Sequence, residues 1–398
     1  MINVENIKKF KTENKTVLIR FDLNVPLASG SPVSDRIIRV IDSIAELKLL
    51  NSKIVILSHL GRPKGKIDNK LSLKQITPQL EQAFGSKITF LDDCIGIDVE
   101  NKIKNADQEE IILLENCRFY KEEEDNDNNF AQSLSKLADV YINDAFACSH
   151  RSHASVAAIT NYLPSYCGNL LSEELLNLAD IIQMPLSPSV TIMGGSKIST
   201  KISILKSLSI KMDTIIIVGG MANNFIKYSG LNVKNSLIEN DVDDLINQIY
   251  KFAEDNNCKI ITPIDVITAK EVKKDIETVT SAIDEIKENN MILDIGPQTI
   301  ELIKKELSYA KTVFWNGPAG VFEIPPFQVG TLEIAKYIAD LSTKNLIKSF
   351  AGGGDTIAAL EMANVKNEFS YISTGGGALL ELLEGRKLPG LKALNVIQ

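Results

Sequence analysis

The chain has 398 residues, more than one ordinary hydrophobic core accommodates, so two domains are expected. Its 44% hydrophobic and 24% charged content is that of a globular protein, and a net charge of −8 excludes binding to nucleic acid or anionic membranes through overall charge. Cys94, Cys117, Cys148, Cys167 and Cys258 are scattered, odd in number and without a C-x-x-C pair, which fits reduced thiols in the cytoplasm better than a disulfide framework or zinc site. No basic and apolar leader opens the sequence and no eighteen apolar residues run together, so no membrane partner is expected.

In chain order, the first half repeats short β-branched runs at 17–21, 54–57, 88–91, 111–114 and 140–142. Helical-period segments at 36–50, 73–84 and 130–138 separate them. Continuously apolar strands alternating with helices predict a parallel sheet covered on both faces. Charged stretches follow the strands: RFDLNVP, SHLGRPKG, ENCRFYKEEE and NDAFACSHRSHAS. Open parallel sheets bind ligands beyond the carboxyl ends of their strands, so these residues are expected on one edge. Six of the seven arginines (20, 36, 39, 62, 118 and 151, with 386 the exception) and all three histidines precede residue 154. Planar guanidinium forks in a chain that otherwise favours lysine point to carboxylate or phosphate recognition. The acidic run 122–129 reads as a solvated loop. His150 and His153 lack further nearby ligands, so no metal centre is read there.

An amphipathic segment at 168–183 followed by MPLSPS reads as an interdomain helix with a boundary near residue 186. The second half repeats the α/β rhythm, but its strand candidates end in glycine: IMGG (192–195), IVGG (217–220), DIGP (294–297), WNGP (315–318), AGGG (351–354) and TGGG (374–377). Six such endings predict a wall of bare backbone suited to a polyphosphate and a flat base. Segments 241–252 and 299–307 read as covering helices. The expected fold is α/β, two doubly wound Rossmann-like domains, each with its ligand edge open. In AGGGDT (351–356) a glycine turn opens a helix; the corner binds phosphate with Asp355 as a Mg²⁺ ligand, or Asp355 serves as a helix cap. Lys197 and Lys201, four apart in GGSKISTK, are expected on one helical face beside that wall. No Walker loop is present, since 61–67 is one residue short and carries Ile67 in place of the hydroxyl. No G-x-G-x-x-G is present either, so hydride chemistry is not indicated.

RFDLNVP, SHLGRPKG, DAFACSHRSHAS, GGSKISTK, WNGPAGVFE, AGGGDT, STGGGA and LPGLKAL, in that order along essentially the whole chain, resemble the phosphoglycerate kinase family. The resemblance implies reversible phosphoryl transfer between 1,3-bisphosphoglycerate and Mg-ADP, giving 3-phosphoglycerate and Mg-ATP, in a cytoplasmic glycolytic monomer whose sheets face each other across a hinged cleft. It implies an acid-substrate domain at 1–169, a linker at 170–186, a nucleotide domain at 187–378 and a return of 379–398 to the first domain. Asp22 and Asn24 would hold the glycerate, with Arg36, His59, Arg62, Arg118 and Arg151 forming a basic pocket. Lys201, Gly219, Gly220, Gly296, Asn316, Pro318, Gly352, Gly353, Gly354 and Thr356 would line the nucleotide site, Glu323 would hold the ribose and Asp355 the Mg²⁺. Arg36, Lys197 and Gly376 would serve the transfer itself. The chain departs from the family's pattern at Ala147, Cys148 and Ser149, at Ser196, at Asn223 and Asn224, and at Pro325 and Pro326. These bear on nucleotide preference. Other readings are a different acyl-phosphate-forming carboxylate kinase and a non-catalytic phosphometabolite-binding protein; Arg36, Lys197 and Asp355, all present, weigh against the last.

Overall fold

A computed structural model describes residues 2–4, 7, 10–26, 33–183 and 185–397. The chain divides into two compact units, one of residues 1–178 with 387–398 and one of 179–386. No helix among the described residues is long and apolar enough to cross a membrane.

The first unit is built on a six-stranded sheet of β1 (Thr16–Phe21), β2 (Lys53–Leu57), β3 (Ile88–Phe90), β4 (Ile111–Leu113), β5 (Val140–Asp144) and β6 (Ser165–Cys167). Their order is β3-β4-β2-β1-β5-β6, and every pairing is parallel. Successive side chains of a strand point to opposite faces. Val17, Ile19 and Phe21 therefore join one buried cluster, while Leu18 joins another with Val55, Leu57 and Tyr141. A core on both faces explains why Val17–Ile19, Ile54–Leu57 and Val140–Ile142 read as continuous apolar runs rather than alternating ones. Arg20 lies on the Leu18 face and is fully buried.

The second unit has a six-stranded sheet of β7 (Ser189–Met193), β8 (Thr214–Ile217), β9 (Lys259–Ile261), β13 (Thr312–Asn316), β14 (Lys348–Gly352) and β15 (Tyr371–Ser373), ordered β15-β14-β13-β7-β8-β9 and again parallel. Beside it, β10 (Asp265–Ala269), β11 (Val279–Ala282) and β12 (Met291–Ile295) form a three-stranded antiparallel sheet. The α/β class with two doubly wound parallel sheets is thus as the pattern implied.

Several details differ from expectation. The DIGP strand belongs to the antiparallel sheet, so five glycine-ended strands, not six, line the parallel sheet; its sixth member, β9, runs into Thr262 and Pro263. The 36–50 segment is broken into helices Asp35–Ile38 and Ile41–Leu49. The 73–84 segment starts as a 3₁₀ turn and becomes α-helical at Thr77–Phe84, where Pro78 occupies a first-turn position that needs no N–H. Helix Ile97–Asn105 buries just Val99 and Ile103, too thin a stripe for its period to stand out. The acidic run is not a solvated loop. Lys121–Glu124 is a helical turn and Glu123 is fully buried. The C-terminal return begins at Lys387 rather than 379, because helix Gly377–Leu383 packs against helix Ile202–Ser209 of the second unit. From there Gly390 packs on Ser149, and its amide bonds the Ser149 carbonyl at 2.9 Å.

Candidate functional site

In each sheet the strand order reverses direction beside the first strand, between β1 and β5 and between β7 and β13. Doubly wound sheets bind ligands beyond the carboxyl ends at such switch points. The predicted residues of the first unit follow the four central strands: Asp22 and Asn24 after β1, His59 and Arg62 after β2, Arg118 after β4, Arg151 after β5.

Local bonds fix most of that edge. Arg36 pairs with Asp22. The Asn24 side-chain oxygen accepts from the Gly61 amide at 2.8 Å, and Arg118 Nη1 donates to the Gly61 carbonyl at 3.0 Å. Arg62 is exposed. Burial, then the charge of Arg20, lowers the Arg118 pKa from its ordinary value.

Arg20, which sequence reasoning left out of the candidate site, ties this edge together from beneath. Its Nε donates to Ser155 Oγ at 3.1 Å, its Nη1 to the Phe21 carbonyl, and its Nη2 meets His59 Nδ1 at 3.0 Å. A guanidinium only donates, so Nδ1 of His59 accepts and Nε2 carries the hydrogen. Burial, then the charges of Arg20 and Arg118, holds His59 well below the usual imidazole range, so it is a neutral donor at pH 7. The missed signal was an arginine at an inward position of a strand.

Glu123 completes this network. It accepts from the Ser155 amide at 2.8 Å and from Ser155 Oγ at 2.6 Å, and His153 Nδ1 lies 3.6 Å away. Burial pushes its pKa up, but His153, Arg20 and Ser155 together pull it below the ordinary carboxylate value. The donor atoms of Asp22, His59 and Cys148 lie within 4.8 Å of one another. Arg36 on Asp22 and Arg20 on His59 favour an anion there, not a cation.

In the second unit, β14 ends at Gly352, Gly353 turns with φ +98°, and helix Gly354–Met362 begins. A side chain at that φ is strained, and a Cβ on Gly353 would meet Asn316 Nδ2 at 2.8 Å. Thr356 Oγ1 accepts from the Gly317 amide at 2.7 Å, and Asn316 donates to the Gly352 carbonyl at 2.6 Å. Asn316 also accepts from Lys201. These bonds leave the first amides of the helix open at its positive end. Burial lowers the Lys201 pKa against the pull of Asp355 and Glu384. Asp355 is exposed in the first helical turn and makes none of the ion pairs resolved among the described residues. A free carboxylate beside open amides fits Mg²⁺ held jointly with phosphate oxygens.

The two lysines do not share a helical face. Helix Ile202–Ser209 starts after Lys201, and Lys197 lies exposed in the preceding turn. Ser199 gives its amide and hydroxyl to Glu239, holding that turn out of the helix. Gly376, at φ +52° and with nothing within 4 Å of where a Cβ would sit, opens helix Gly377–Leu383.

A cavity of about 480 Å³ lies in this unit. Gly219, Gly220, Pro318, Glu323 and Asp355 line it, as do Ala222, Ile226, Leu237, Val266, Leu293 and Val321. Gly296 does not; a Cβ there would strike the Asp265 carboxylate at 2.3 Å. Asp294 lines the cavity too, accepting from Ile295 and Gly330 amides at 2.9 and 2.8 Å, and burial raises its pKa to about 7.

A guanidinium-rich edge on one parallel-sheet unit and a glycine edge on another define an α/β phosphotransferase. Residues 7–386 match the family model for phosphoglycerate kinase. The chain is 45% identical over 398 residues to phosphoglycerate kinase of Wolbachia pipientis wMel, covering 99% of each, and 43% identical over 384 residues to that of Dictyoglomus turgidum, covering 96% of each. The solved phosphoglycerate kinase of Coxiella burnetii superposes with a TM-score of 0.89 at 38% identity, covering 97% of each chain. That of Pyrococcus horikoshii gives 0.80 at 29%, covering 100% of this chain and 99% of that one. The chain belongs to the phosphoglycerate kinase family and is an enzyme of that family.

Proposed function

We propose that the chain transfers a phosphoryl group reversibly between 1,3-bisphosphoglycerate and ADP, giving 3-phosphoglycerate and ATP. One observation carries this reading: the chain has two anion-adapted sheet edges of different chemistry, guanidinium and imidazole on the first unit and bare backbone with lysine on the second. The first suits a compact acid with a phosphate and a carboxyl group. The second suits a diphosphate, with an apolar cavity for the base.

In the forward direction an ADP β-phosphate oxygen attacks the acyl phosphate. The new P–O bond forms as the bond from phosphorus to the acyl oxygen breaks, and the carboxylate leaves with that electron pair. The attacking oxygen is already anionic before the step and the acyl oxygen leaves as a carboxylate, so no proton moves, no general base is needed, and the work is alignment and charge neutralisation. Asp22 and Asn24 orient the glycerate, with Arg36, His59, Arg62, Arg118 and Arg151 around it. Glu323 takes the ribose, and Lys201 with Gly352, Gly353, Gly354 and Thr356 takes the phosphates. Lys197, Arg36 and the backbone at Gly376 are assigned to the transferring group. Mg²⁺ at Asp355 supplies charge neutralisation on the nucleotide phosphates. Because the ligands are assigned to different units, closure that excludes water is part of the proposal. Monomeric state and cytoplasmic location belong to it as well, the latter supported by five free, buried cysteines.

The test is a coupled assay with 3-phosphoglycerate and Mg-ATP, with and without chelator, alongside a panel of other small carboxylic acids. Turnover confined to 3-phosphoglycerate and abolished by chelator supports the reading. Preference for another acid makes the chain a different acyl-phosphate-forming kinase, and nucleotide binding without turnover of any acid makes it a sensor.

A further inference from the structure

Within the cavity of the second unit, polar side chains that line the wall are accounted for with one exception. Asp294 accepts two backbone amides, and Ser196, Glu323 and Asp355 are exposed. Asn223 is 1% exposed, and its side-chain oxygen has no hydrogen-bond partner. Its amide nitrogen donates to the Leu237 carbonyl at 3.0 Å, which fixes the orientation: a flipped amide would set two acceptors against each other. Asn223 stands on helix Gly219–Tyr228, one turn beyond Gly219 and Gly220, on the face that Ala222 and Ile226 also give to the cavity. A buried, orphaned acceptor costs free energy until a donor reaches it, so it selects a ligand that carries one.

We propose that Asn223 reads the nucleobase, its side-chain oxygen accepting a hydrogen bond from the exocyclic amine of adenine. The inference rests on the nucleotide site proposed above and adds what that site distinguishes. The apolar walls hold any flat purine; the amine is the group through which adenine differs from the unsubstituted ring. Asn223 is thereby a specificity-determining residue, and the preference is made by the penalty for leaving it unpaired.

The experiment compares ADP with purine riboside 5′-diphosphate, which lacks the amine, by calorimetric Kd and by kcat/KM in the coupled assay. Wild type is expected to favour ADP about tenfold, the factor that accompanies one net hydrogen bond to a buried group. In Asn223→Ala the ratio is expected to fall to within about twofold of unity, with purine riboside diphosphate retained within about threefold. A merely structural role for Asn223 would weaken both nucleotides alike and leave the ratio unmoved, which overturns the proposal. Equal wild-type affinities overturn it without any variant, so it stays decidable if Asn223→Ala does not fold. An Asn223-dependent preference for GDP over ADP assigns the acceptor to guanine and overturns it as well. The binding arm needs no acid substrate: failure of turnover with a retained Kd ratio counts against the proposed reaction, not against base reading.

Discussion

Glu123→Gln is expected to destabilise the first unit by about 3 kcal/mol, at the lower end of the cost of removing one partner from a buried pair. The groups that surround the fully buried Arg20 and could carry negative charge are Cys148, Cys117, Glu123 and Tyr141. Burial pushes the Cys148 thiol up to about 11 and pushes Cys117 and Tyr141 up as well, so all three are neutral at pH 7. Among these groups Glu123 alone balances the guanidinium. The glutamine keeps the shape and an oxygen for the Ser155 amide but turns an –NH2 toward Ser155 Oγ, so the loss is that of the charge together with one accepted hydrogen bond. Glu122→Gln, one residue away and exposed, is the control, expected within about 0.5 kcal/mol of wild type. Urea unfolding followed by far-ultraviolet circular dichroism and by hydrogen exchange at the amides of Thr16–Phe21 measures the effect where it should fall. Trp315 fluorescence reports the second unit separately. A loss below about 1 kcal/mol, at the level of exposed pairs, would refute the argument that Glu123 carries Arg20's counter-charge.

Lys197→Ala should lower kcat by orders of magnitude with nucleotide Kd changed several-fold at most, and a change confined to Kd would make Lys197 a binding residue. Arg36→Ala should lose turnover while shifting stability by less than about 1 kcal/mol, since its pairing with Asp22 is partly solvated; unfolding would reassign Arg36 to structure. Gly194→Ala would set a Cβ 2.2 Å from the Pro318 carbonyl oxygen and should cost about 3 kcal/mol or more, measured as a lowered unfolding midpoint. Gly354→Ala meets nothing within 4 Å and should leave stability within about 0.5 kcal/mol yet weaken ADP binding; unchanged affinity would mean that phosphate does not approach this backbone. Burial raises Asp294 from 3.8 to about 7, so between those values the folded state holds more protons than the unfolded state and stability falls as pH rises. Asp144, raised to about 6, acts in the same direction, whereas His59, depressed, removes stability as pH falls below its ordinary 6.5. Asp294→Asn should therefore gain on wild type as pH rises from about 4 to 7, whatever its baseline, and parallel pH profiles would contradict the raised value.

Sequence carried the strands well where both faces are covered, because β1, β2 and β5 each hold three or four consecutive apolar residues, Val17–Ile19, Ile54–Leu57 and Val140–Ile142. It carried the candidate site's residues as types, since rare arginines and glycine endings are visible without coordinates. It failed where neighbours in space overrule local character. Glu123 lies in a run of like charges, and nothing in that run reveals that Arg20, more than a hundred residues earlier, lies beneath it. The DIGP strand runs into glycine as the parallel strands do, yet pairs antiparallel with β10, a choice made by partners and not by its own residues. Lys197 and Lys201 part company because four-residue spacing implies a shared face only if the segment is helical, and Glu239 diverts it.

On the function proposed above, the two sheets fit one topology to two kinds of anion. In the first unit the switch point is filled from below by a buried arginine that sets a histidine tautomer, so recognition there is by side chains whose protonation is fixed before ligand arrives. In the second, Gly194 and Gly317 approach so closely across β7 and β13 that neither has room for a Cβ, and recognition falls to main-chain amides. Amides and apolar walls grip any purine nucleotide's phosphates and ring equally. On that reading discrimination among bases falls to a polar side chain of the cavity, and Asn223, buried with an unanswered oxygen, is the one we propose for it.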